Sequence, residues 1–174
     1  MALKPETAGF LKYLNGQPTL RSRIRAAPDR TLLYAGSFNK PMWKEIADLK
    51  RANPDLAALE TLPEVLARVP APASGHANLL DYIKDLEDRV RIPFKPDGFA
   101  VWRSVSGIFA ANAVGKVSFQ IGSGVTAVDK VFAATEVAVL RRNPNIHPVS
   151  RDLLEYYARC IAAGQSQINV GFTA

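Results

Sequence analysis

Cysteine is nearly missing: Cys160 stands alone among 174 residues. An intrachain disulfide and a zinc site built on paired thiolates are both excluded, and the chain suits a reducing compartment. Histidine is scarce as well, with only His76 and His147. A nucleophile with an adjacent imidazole base is therefore not visible, and no metal site is expected. No apolar run approaches the roughly eighteen residues that suggest a membrane helix. The opening MALKPETAGFLKYLNG contains Glu6 and no continuous apolar stretch, unlike a secretory leader. These absences point to action in a cytoplasm, whether the chain is made there or delivered there. Walker-type loops, G-x-G-x-x-G and H-E-x-x-H are absent too.

What is present is an ordinary globular composition, 48% hydrophobic and 22% charged. A chain of this size buries roughly 70% of its unfolded surface, so a core needs no staple. Lys and Arg number 22 against 16 Asp and Glu, a net charge of +6. That surplus favours anionic partners without choosing among them. Only Arg21, Arg23 and Arg25 form a dense basic cluster. Aromatics are not interleaved with the basic residues, which argues against a nucleic-acid stacking surface.

Proline and glycine punctuate the chain at RVPAPASG (68–75) and RIPFKPDG (91–98). Periodicity predicts helices over 5–14, 40–50, 57–69, 76–90 and 99–112, and a last helix capped by Ser150 and running to about 163. Strands are expected over 30–34, 116–121, 130–140 and 167–172. The result is an α/β (α+β) domain spanning 1–174: an N-terminal helical segment (1–29), a mostly helical half (30–97) and a strand-rich half (98–174) with a small sheet.

Within KVFAATEVAVL, Glu136 is the only acid and the only charge beyond Lys130. Read as a strand, the segment places Phe132, Ala134, Glu136 and Leu140 on one face. A carboxylate there is costly unless solvated, paired or used; an edge-strand glutamate facing water would also account for it. In FAVWRSVSGIFAANA, Trp102 and Ser106 lie four apart on one helical face, while Val101, Val105 and Ile108 face a core. Cys160 reads as core, and His76 and His147 as surface or capping residues.

Together the two stretches resemble the ADP-ribosyl cyclase / NAD glycohydrolase family. That family carries a W-x-x-V-S-x-x-F-A-x-x-A segment, a strand, a G-S turn and an F-x-x-x-E segment holding the catalytic glutamate. Trp102, Val105, Ser106, Phe109, Ala110, Ala113, Gly122, Ser123, Phe132 and Glu136 stand in that order here. Upstream, TLLYAGSF is similar to the family's L-L-W-S, placing Tyr34 where a second active-site tryptophan stands. LETLPEVL resembles its L-E-D-T-L, placing Glu60 at the carboxylate that favours hydrolysis over cyclisation. The likeness spans about residues 30–143.

The resemblance implies an ADP-ribosyl cyclase-like fold and cleavage of the nicotinamide–ribose bond of NAD or NADP as substrate, with no cofactor. Glu136 would be the catalytic carboxylate, Trp102 and Tyr34 would sandwich the nicotinamide ring, and Glu60 would accept from its carboxamide. Ser106 would bond the ribose or a phosphate, and Phe132 would line the site. The family's phosphate-binding serine-arginine pair is Ala35-Gly36 here, leaving Ser37, Asn39 and Arg103 as candidates for that contact. A small NAD-destroying chain resembles the toxic domain of a bacterial antagonism system, which implies a cognate immunity protein, acidic against this basic chain. ADP-ribosyl transfer to a macromolecule and a basic nucleic-acid-binding domain are the alternatives.

Overall fold

The computed structural model describes residues 2–35, 42–72, 75–123, 131–164 and 167–172. Helix α1 (Pro5–Asn15) and the short α2 (Pro18–Arg23) each place a proline in the first turn, where its missing N–H costs nothing. Strand β1 (Thr31–Ala35) follows, then α3 (Met42–Ala52), α4 (Pro54–Ala57), α5 (Leu62–Leu66) and α6 (Leu79–Asp88). A bend at Phe94–Gly98 leads into α7 (Phe99–Ala111) and β2 (Val117–Ser123). The π-helical turn Phe132–Glu136 runs directly into α8 (Val137–Arg142), and α9 (Pro148–Ala162) and β3 (Gln167–Phe172) complete the order.

The structure is mixed α/β, and its described residues form a three-stranded sheet ordered β1-β2-β3. The central β2 runs parallel to β1, with Leu33 opposite Phe119 and Tyr34 opposite Gln120, and antiparallel to β3. A parallel pair needs a long crossover, and the helices between residues 42 and 111 supply it. The main core gathers Leu33, Val105, Phe109, Phe119, Phe132, Leu140, Leu154 and Tyr157, all 2% exposed or less. Phe119, Phe132 and Tyr157 meet edge to face at centroid distances of 5.3–6.4 Å, the offset that the ring quadrupole prefers. Cys160 is buried, as the sequence indicated.

Three expectations need correction. Residues 131–142 are helical rather than a strand. Valine content favours a strand, but burial falls on Phe132, Thr135, Glu136 and Leu140, steps of three and four, while Ala134, which a strand would bury beside Phe132 and Glu136, is only partly buried. The stretch expected to be helical over 57–69 is broken, with only Leu62–Leu66 helical in its middle. Pro63 has no N–H to offer a helix continuing from the preceding turn, and Glu60 instead extends the sheet by pairing with Thr31. The third concerns α9, whose cap is His147: its Nδ1 accepts from the Val149 N–H at 3.2 Å. Ser150 lies inside the first turn, fully buried, accepting from the Val117 N–H at 2.8 Å and donating to the Val117 carbonyl. It fastens α9 to β2.

Candidate active site

Helix α7 is apolar on the side carrying Val101, Val105, Ile108 and Phe109, which the core claims. Burying that face leaves Trp102 at the core's margin, half-buried. Its indole Nε1 donates to Glu87 Oε1 of α6 at 2.7 Å. A charge-assisted bond of that length fixes the ring plane. One turn on, Ser106 is 4% exposed and meets the next layer, the turn carrying Glu136.

That approach depends on small groups. A Cβ on Gly107 would stand 3.3 Å from the Thr135 methyl, so glycine permits α7 and the 132–136 turn to pack closely. Arg103 then braces the pair, its Nε donating to Thr135 Oγ1 at 3.0 Å while its guanidinium lies 5.6 Å from the centre of the Phe99 ring. Glu136 is thereby held 6% exposed, with the Ser106 hydroxyl as its hydrogen-bond partner. Burial pushes its carboxyl up to about 8, against the opposing pull of the serine.

Trp102, Ser106 and Glu136 border one cavity of about 430 Å³. Trp102 and Ser106 come from α7, Val131, Phe132 and Glu136 from the turn before α8, Leu32–Ala35 from β1, Leu62 and Pro63 from α5, and Phe94 from the bend before α7. The walls are mostly apolar, with the Glu136 carboxyl and the Ser106 hydroxyl converging on the space, the composition of a small-molecule site. Tyr34 stands in the wall as a neutral phenol, raised to about 12 by its own burial and then by the charges of Glu136 and Glu64.

The structure thus brings together Tyr34, Trp102, Ser106, Phe132 and Glu136. Phe132 reaches the cavity from the core, where it packs on Phe119 and Tyr157. Two proposed residues lie elsewhere. Glu60 accepts from the Ala27 N–H at 2.6 Å and pairs with Arg68, away from this lining. Pro63, three residues on, lines the cavity while Glu60 does not. Arg103 is a brace and not a cavity residue. Ser37 and Asn39 lie outside the described residues.

Sequence reasoning missed Phe94 and Glu87. Phe94 sits between prolines in a segment read as a break, yet it is 59% exposed at the cavity, edge-on to Phe99 at 6.2 Å. A large aromatic left in water within a rigid proline-flanked bend was the available signal. Glu87 belongs to a charged helix face and carries no signal of its own. It also borders a second cavity, with Lys50, Glu64 and Lys84, that shares Tyr34, Pro63 and Trp102 with the first. Lys50 there donates to Glu64 at 2.6 Å and to the Leu59 carbonyl at 2.7 Å.

Among the described residues no cluster of His, Cys, Asp and Glu could hold a metal ion, and no helix is long and apolar enough to cross a membrane. No family model matches the chain, and searches among curated proteins and solved structures return no significant match.

Proposed function

We propose that the chain is an NAD(P) glycohydrolase with an ADP-ribosyl cyclase-like fold, releasing nicotinamide and ADP-ribose. One observation carries the reading: an aromatic-walled cavity in which a buried, serine-bonded glutamate meets Trp102 and Tyr34, assembled from segments far apart in sequence. The bond to be broken joins a ribose to a pyridinium, which leaves as a neutral molecule once the C–N electron pair returns to the ring nitrogen. No acid need protonate that leaving group, so the two carboxylates usual in glycoside hydrolysis reduce to one.

Glu136 in its ionised form stabilises the oxocarbenium charge that develops on the ribose. It then takes the proton of the water that adds at that carbon. A preorganised group of this kind contributes about 3–4 kcal/mol to the barrier, by analogy with oxyanion-hole donors. The aromatic walls hold the cationic ring, a desolvated contact contributing about 2 kcal/mol. That contribution falls as the ring loses its charge, so Trp102 and Tyr34 serve binding more than bond-breaking. Ser106 steadies the carboxylate. Glu60 bonds Ala27 and Arg68 outside the cavity lining, so it has no part in this account and no preference for hydrolysis over cyclisation rests on it.

Acting in a cytoplasm, such an activity depletes NAD, and we extend the proposal to a toxic effector countered by an acidic immunity protein. The test is to incubate the purified chain with NAD and resolve the products. Nicotinamide and ADP-ribose should appear, and Glu136→Gln should slow their release at least a few hundredfold. Equal turnover in that variant would remove the mechanism, and label transferred to protein would replace hydrolysis by ADP-ribosyl transfer.

A further inference from the structure

The one dense basic cluster of the sequence plays no part in that cavity. Arg23 and Arg25, at the end of α2 and just after it, instead line a separate cleft of about 610 Å³ with Arg68, Asn112 and Val69. No residue of this cleft borders the aromatic cavity.

The turn that presents these arginines is firmly seated. Ile24 between them is fully buried, and the Arg25 N–H returns to the Arg23 carbonyl at 2.9 Å. The end of a helix ordinarily presents unpaired carbonyls, which repel an anion. Here those oxygens are occupied. Asn112 Nδ2, at the end of α7, donates to the carbonyls of Arg21 at 2.8 Å and Ile24 at 3.1 Å. Arg68 Nη2 donates to the Arg25 carbonyl at 3.3 Å.

Among the described residues three arginines and no acid line the cleft, and Glu60 at its edge offsets Arg68, so the surplus charge there is that of Arg23 and Arg25. Glu60, the acid paired with Arg68, spends its second oxygen on the Ala27 N–H. Between the arginines the floor is apolar, with Ala26 and Val69 at 5% and 1% exposure. Guanidinium forks suit phosphate oxygens, and the volume exceeds what an inorganic ion fills.

We propose that this cleft binds a phosphorylated small molecule, its phosphate groups on Arg23, Arg25 and Arg68 and its organic body on the apolar floor. The site is independent of the glycohydrolase reading.

Calorimetric titration of the full chain with ADP and, separately, with pyrophosphate tests it. Saturable one-to-one binding of ADP, tighter than that of pyrophosphate, is expected. The Arg23→Ala/Arg25→Ala double variant should weaken it at least tenfold. Because both arginines are exposed, that variant should fold, as an unchanged melting temperature would show; Arg23→Lys/Arg25→Lys should recover only part of the affinity. Trp102→Ala should leave the binding unchanged. Absence of ADP binding, ADP no tighter than pyrophosphate, binding that survives the double alanine variant, or binding lost in Trp102→Ala would each overturn the assignment. So would an acidic peptide that competes on the cleft more strongly than ADP.

Discussion

At the scale of single residues, the arrangement turns on the protonation of Glu136. With its carboxyl raised to about 8, roughly one molecule in ten carries the anion at pH 7. A cationic ring entering the cavity favours that anion, so binding releases a proton below pH 8. Affinity for NAD, measured on a scale too fast for turnover, should therefore rise close to tenfold per unit as pH increases from 6 to about 7.5, then level off above 8. Ser106 opposes the effect of burial, and Ser106→Ala should move the plateau to higher pH. An unmoved profile in that variant would exclude the serine from the ionisation. Stability runs in the opposite direction. In the unfolded chain the carboxyl loses its proton near its ordinary 4.5, while the folded one retains it, so the fold weakens as pH climbs between 4.5 and 8. Glu136→Gln abolishes that slope. Its melting temperature should gain on the wild type from pH 5 to about pH 8 and hold a constant lead above that, and parallel curves would contradict the burial.

Among elements, the turn and helix of 132–142 show what a sequence can and cannot tell. Spacings of four satisfy both the two-residue period of a strand and the turn of a helix. Phe132, Glu136 and Leu140 therefore share a face under either assignment, and the face was legible while the element was not. Deciding between them required knowing that Gly107 lets α7 approach within contact of Thr135, a tertiary fact. The helix 99–111 was plain because its apolar stripe is long and uninterrupted. Tyr34, Trp102, Ser106, Phe132 and Glu136 were named from the family resemblance and lie around one cavity, whereas Glu60, three residues before Pro63, is bonded to Ala27 and Arg68 outside that lining. The end of α7 carries its own prediction. Asn143 Nδ2 donates to the carbonyls of Ala110, Ala111 and Ala113 at 2.9–3.1 Å, and its Oδ1 accepts from the Asn145 N–H. The side chain is 4% exposed, so Asn143→Ala takes a donor from all three oxygens, of which that of Ala110 keeps the Ala113 N–H. A loss of about 2–3 kcal/mol follows, lowering the melting temperature by roughly 5–10 °C. Asn143→Asp should do no better, since it sets a charge against the same carbonyls. Calorimetry would decide, and a loss under about 0.5 kcal/mol would mean the cap is idle.

For the molecule as a whole, the cavity is a seam and not a property of one segment. Its walls come from β1, α5, the bend at 94–98, α7 and the turn before α8, and all of these but the bend contribute to one core. β1 reaches the remainder through its parallel pairing with β2, and α9 is bonded to that same β2 through Ser150. A ligand seated in the seam therefore touches elements that separate only when the sheet and core come apart. Its binding energy should register in global unfolding, not in the melting of a single region. The cleanest form of the experiment uses Glu136→Gln, which retains the aromatic walls but should not consume its ligand. NAD at about a hundredfold its dissociation constant stabilises the folded state by roughly 2.7 kcal/mol. For a chain of this length the melting temperature should rise by about 5–11 °C. The whole transition should move as one, with near-ultraviolet and far-ultraviolet dichroism shifting together. Adding Trp102→Ala should erase most of the rise. A shift confined to one probe would place the ligand on a local surface, and an equal shift in the double variant would place it outside the indole-walled cavity.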